Sequence, residues 1–120
     1  MPTIELTATD FEKTVLENDI VLVDFWASWC GPCRQFAPTY EKAAESNPDI
    51  VFGKVDTEAE QELGATHGIR AIPTLMAIRD GVIVFSQAGA LPEAMLESLL
   101  EQVRALDMEQ VRATLAAQAG

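Results

Sequence analysis

The chain reads as a single α/β domain built on a central five-stranded sheet with parallel and antiparallel portions, flanked by helices on both faces. Three observations predict it. Apolar runs alternate with helical patterns as βαβαβα up to about residue 68. Two further runs, Pro73 to Ile78 and Val82 to Ala88, flank Arg79-Asp80-Gly81, a strong hairpin signal. An amphipathic segment then completes the order as ββα. At 120 residues the chain can bury a core without disulfide support.

Each element has its own warrant. Residues 2–6 make a short strand. Thr9-Asp10-Phe11-Glu12 carries a capping-box pattern that opens a helix through about Asn18. Ile20 to Trp26 is an apolar run with the length of a buried strand, interrupted only by Asp24. The next helix starts at or just after Cys30 and runs to about Asn47, with Pro38 expected to kink it. Ile50 to Asp56 is the third strand, and Thr57 with Glu60 forms a second capping-box pattern before a helix that Gly68 can stop. Pro92 suits the first turn of the helix after the hairpin, whose Met95, Leu96, Leu99, Leu100, Val103 and Leu106 fall on one face. Residues 1–106 account for this domain, and residues 107–120 continue helical spacing through Met108, Val111 and Leu115 as an extension or tail of it.

The chemistry is concentrated in Trp29-Cys30-Gly31-Pro32-Cys33-Arg34, which holds the only two cysteines. A Cys-x-x-Cys at a strand-to-helix junction points to thiol–disulfide exchange. With Cys30 at the first turn, free backbone N–H groups and the helix dipole stabilise its thiolate. Cys33, three residues on, shares that helical face and can bond to it. Gly31 admits another backbone, and Pro32 has no N–H to lose in a first turn. This spacing predicts Cys30 as the exposed attacking sulfur and Cys33 as the shielded resolving one. Zinc wants four ligands, and two cysteines with the lone His67, placed at a solvent-facing helix end, fall short of that. A permanent disulfide across so small a loop would stabilise little.

Composition narrows the partners. Eight basic and 19 acidic residues give a net charge of −11, which disfavours nucleic acid and anionic lipid. No apolar run approaches the roughly 20 residues of a membrane span. The start Met1-Pro2-Thr3-Ile4-Glu5 lacks the look of a secretory signal, so the expected location is the reducing cytoplasm, where a cysteine pair cycles.

Together with Pro38, Lys54-Val55-Asp56, Ile72-Pro73-Thr74 and Gly89, the stretch from Val23 to Cys33 closely resembles thioredoxin. The likeness runs over roughly residues 2–106, and Trp-Cys-Gly-Pro-Cys with a downstream Ile-Pro-Thr is highly specific. The resemblance implies a thioredoxin fold and reduction of disulfides in target proteins. It makes Asp24 a buried carboxylate behind Cys33 that takes the Cys33 proton during resolution, and Lys54 a modulator of Asp24 or an ordinary surface lysine. It implies a cis Ile72-Pro73 peptide facing the cysteines, with Ile72 backbone groups pairing to an extended substrate. It gathers Trp29, Gly31, Pro32, Ile72, Pro73, Gly89 and Ala90 into a docking patch around Cys30. It also implies a monomer that needs no bound cofactor or metal, re-reduced by a flavin- and NADPH-dependent thioredoxin reductase. A disulfide oxidase or isomerase, or a non-catalytic binding subunit, could use the same fold.

Overall fold

The apolar run at 20–26 becomes β2 (Ile20–Trp26), the middle strand of a five-stranded sheet in this computed structural model, which describes residues 2–119. The other strands are β1 (Thr3–Glu5), β3 (Val51–Asp56), β4 (Thr74–Arg79) and β5 (Val82–Ala88), in the order β1-β3-β2-β4-β5. β1 and β3 pair in parallel, as do β3 and β2. β4 runs antiparallel to both β2 and β5. The helices are α1 (Phe11–Glu17), α2 (Gly31–Ser46), α3 (Gln61–Thr66), α4 (Glu93–Ala105) and α5 (Met108–Ala119).

Strand alternation divides the core in two. Ile20 and Leu22 of β2 join Phe36 and Tyr40 of α2 and Leu96, Leu100 and Val103 of α4. Val21, Val23 and Phe25 point the other way, to Phe11 and Val15 of α1 and Leu63 of α3. Burying each such Leu or Phe stabilises the fold by roughly 1.5–3 kcal/mol. Gly53 in β3 is needed for packing, because a Cβ there would lie 2.9 Å from Leu6 Cγ.

The hairpin turn is as expected, with Asp80 at φ 51° and Gly81 at φ 79° supplying the two left-handed residues of a tight turn. Both capping boxes are corrected. Asp10, not Thr9, stands at the start of α1, and its Oδ1 accepts from the Thr7 N–H at 2.7 Å, closing the turn before the helix. Before α3, Thr57 Oγ1 donates to the Trp26 carbonyl and Asp56 Oδ1 accepts from the Glu58 N–H, while Glu60 Oε1 takes the Ala8 N–H. These side chains tie loops together, so α3 begins only at Gln61. α2 runs unbroken through Pro38.

The C-terminal segment is a separate helix, since α4 ends at Ala105 and α5 begins at Met108. Asp107 Oδ1 accepts from the Gln110 N–H, and Met108 is buried. Arg79 Nη1, at the end of β4, donates toward the Val103, Arg104 and Leu106 carbonyls at 2.8, 3.0 and 2.8 Å. Met95 departs from the expected buried face of α4 and is 57 % exposed, and Leu106 is only half-buried.

Candidate active site

β2 delivers the chain to the top of the sheet, and Ala27 to Trp29 turn it into α2. Cys30 is the N-cap of that helix, one position before its first turn, with Gly31 and Pro32 following. Its sulfur takes the role usually played by a Ser or Asp oxygen, accepting the Cys33 N–H at 3.2 Å. A negative charge on Cys30 would therefore sit where a backbone donor and the positive end of a 16-residue helix already point. Cys30 and Cys33 are disulfide-bonded, with Cα atoms 5.2 Å apart.

The Ile72-Pro73 peptide is cis, and the Ile72 carbonyl oxygen lies 3.7 Å from Cys30 Sγ. Pro73 is buried, and its carbonyl accepts from the Gly89 N–H at 2.8 Å, bringing the loop after β5 to the same end of the sheet. Gly89, at φ 106°, holds a backbone conformation that favours glycine, and both it and Ala90 are exposed. Trp29 is 64 % exposed, with its indole N–H donating to Glu58 at 3.2 Å. A cleft of about 330 Å³ opens beside it, lined by Trp29, Gln61, Arg70 and Ile72 among others. Gly31 is half-buried and Pro32 exposed.

One expectation about the cysteines fails. In the disulfide form Cys30 is 4 % exposed and Cys33 3 %, so exposure does not separate them. Capping draws the Cys30 sulfur in against α2 and the Ile72 carbonyl covers it. What distinguishes Cys30 is its place before the helix and beside the cis-proline loop.

Asp24 shares the α2-covered face of β2 with Leu22, pairs with Leu75 of β4, and is 1 % exposed. Neither carboxyl oxygen has a hydrogen-bond partner among the described residues. Burial pushes its pKa up to about 7, partly opposed by the Lys54 charge. Lys54 is the register partner of Asp24 on β3, and its ammonium lies 4.7 Å from the centre of the Trp26 ring. Trp26 itself is half-buried at the end of β2.

His67 stands at a helix end as expected, as the C-cap of α3, but it is half-buried where a solvent-facing ring was expected. Its ring packs 4.9 Å from that of Phe11, with Nδ1 2.9 Å from the Leu63 carbonyl oxygen. Sequence reasoning also passed over two residues near the site. Glu58 holds Trp29, which no local motif reveals. Tyr40 is buried on α2, and its seven-residue spacing from Cys33, nearly two helical turns, was the available signal.

The thioredoxin family model matches residues 2–102. The chain is 60 % identical over 116 residues to a putative thioredoxin 2 of Streptomyces coelicolor, covering 97 % of this chain and 87 % of that one. It is 41 % identical to a thioredoxin of Porphyra purpurea, over 85 % of this chain and 97 % of the relative. Among solved structures, a mutant thioredoxin from Halobacterium salinarum superposes with a TM-score of 0.81 at 34 % identity, covering 88 % of this chain and 94 % of that one. Fasciola hepatica thioredoxin gives 0.77 at 38 %, covering 83 % and 97 %. A cysteine pair bonded at a helix N-terminus on this fold, with these relatives, means that the chain belongs to the thioredoxin family, the oxidoreductases that reduce disulfides.

Proposed function

We propose that Cys30 is the attacking residue and Cys33 the resolving one in reduction of protein disulfides. The Cys30 thiolate attacks one sulfur of the target disulfide; a Cys30–target disulfide forms and the other target sulfur leaves as a thiolate. Cys33 gives up its proton and its thiolate attacks Cys30 Sγ, forming the Cys30–Cys33 bond and releasing the second target sulfur. Two electrons pass to the target, whose thiolates take up protons. The observation that carries this order is the Cys33 N–H directed at Cys30 Sγ at the N-cap of α2, which favours negative charge on Cys30.

Asp24 is the group that takes the Cys33 proton, directly or through water. A buried carboxyl with a pKa of about 7 is suited to exchanging protons near neutrality. Lys54 modulates it by favouring the charged form. Trp29, Gly31, Pro32, Ile72, Pro73, Gly89 and Ala90 form the docking surface, where an extended target segment pairs with Ile72 backbone groups. The oxidised pair is returned to the dithiol by a flavin-dependent thioredoxin reductase using NADPH, and the protein works as a cytoplasmic monomer.

Catalysed reduction of insulin under limiting dithiothreitol tests the assignment. Wild type should accelerate precipitation of the insulin B chain, and Cys30→Ser should abolish the acceleration. Cys33→Ser should accumulate mixed disulfides with targets; mixed disulfides forming through Cys33 in Cys30→Ser instead would reverse the order.

A further inference from the structure

Tyr40, 0 % exposed, is the one member of the apolar cluster beneath α2 and α4 whose side chain carries a polar atom. Its ring packs against Phe36 and Phe52 at centroid distances of 5.6 and 5.2 Å, contacts that a phenylalanine would make equally well. The hydroxyl is therefore the feature to explain. It donates to the Gly53 carbonyl at 2.8 Å. Gly53 is paired with Val23, and the next residue of β3, Lys54, with Asp24. The phenol oxygen is thus tied to the sheet one residue away from the register partner of Asp24. α2 presents Cys33 and Tyr40 on its buried face, nearly two turns apart, and Asp24 lies on the sheet surface they cover.

We propose that Tyr40 is a positioning residue for Asp24: by committing its proton to the Gly53 carbonyl, it leaves only oxygen lone pairs for the Asp24 pocket and so holds the carboxyl group in its protonated form. A phenol has one proton to give. Spent on Gly53, it cannot stabilise a carboxylate, and the negative end of the O–H dipole that remains disfavours a second negative charge nearby. The two groups are electrically coupled, because the Asp24 charge, after burial, helps raise the Tyr40 pKa well above its ordinary value. The other charged or titratable neighbours are Cys33 and Glu41 on α2 and Lys54 on β3. On β4, the Asp24 partner is the apolar Leu75. The importance of Tyr40 for turnover rests on Asp24 accepting the Cys33 proton, but its effect on Asp24 titration does not.

Tyr40 is the only tyrosine, so growth on 3-fluorotyrosine labels that position alone. The ¹⁹F resonance should titrate with the same midpoint as the Asp24 carboxyl ¹³C signal and become pH-independent across that range in Asp24→Asn. In Tyr40→Phe, which keeps the ring, the Asp24 midpoint should fall by about half a pH unit. The pH profile of mixed-disulfide resolution should move with it. An unchanged or higher midpoint, or a ¹⁹F signal insensitive to Asp24, would overturn the proposal, and the labelling arm needs no variant of Tyr40 to fold. Resolution unaffected by Asp24→Asn would instead remove Asp24 from the reaction while leaving the titration result intact.

Discussion

The two faces of β2 are built from neighbouring residues and behave differently. Val21, Val23 and Phe25 point to α1 and α3 and are fully buried in an apolar cluster, with the His67 ring at its margin. Ile20 and Leu22 point to α2 and α4, and the next residue in that series is Asp24, equally buried and without a hydrogen-bond partner among the described residues. One face holds the domain together, while the other gives up stability beneath the cysteine helix. A strand whose alternation is kept perfectly on one side and broken once on the other marks where chemistry has displaced packing.

Truncating the hydrocarbon face should have the largest effect. Phe25→Ala empties a fully buried ring site and should cost about 3–5 kcal/mol in urea unfolding, with the fold lost or the midpoint sharply lowered. Asp24→Ala should go the other way. With a folded pKa of about 7 against an ordinary 3.8, the folded state holds a proton that the unfolded state has released between those values, so wild-type stability falls as pH rises through that window. The variant escapes this loss. Its advantage should be small at pH 4, grow toward pH 7 and level off near roughly 2–4 kcal/mol, on the order set by the shift less a small cavity cost. Parallel urea curves across that range, with no growth in the difference, would put the ionisation of Asp24 outside the core. The smallest effect belongs to Lys54→Met. It removes the charge that favours ionised Asp24, so the Asp24 midpoint should move upward with little change in unfolding midpoint at pH 5.

Much of this was legible because it is local. Strand periods, the Asp80-Gly81 turn and the cysteine junction each reside in contiguous residues, and Asp24 announced itself by interrupting an apolar run. The capping boxes failed because a Thr or Asp near a helix start has several competing donors and acceptors. Asp10 and Asp56 were used for turns, and Glu60 for a partner 52 residues away. Tyr40 could be placed on the Cys33 face of its helix by spacing, but its bond to Gly53 could not, because only the β2–α2–β3 crossover brings the two together. The shielding of Cys30 was missed for a related reason: the covering carbonyl of Ile72 lies 42 residues along the chain.

Arg79 has a mechanical consequence. One guanidinium nitrogen at the end of an inner strand serves the carbonyls with which α4 closes and the chain turns into α5. Helix ends ordinarily fray independently of the sheet they cover. Here loosening the last turn of α4 breaks hydrogen bonds to a side chain of β4, which couples the helix joint to the sheet. The C-terminal helix is thereby anchored, through the Leu106 carbonyl before it, to an inner strand of the sheet.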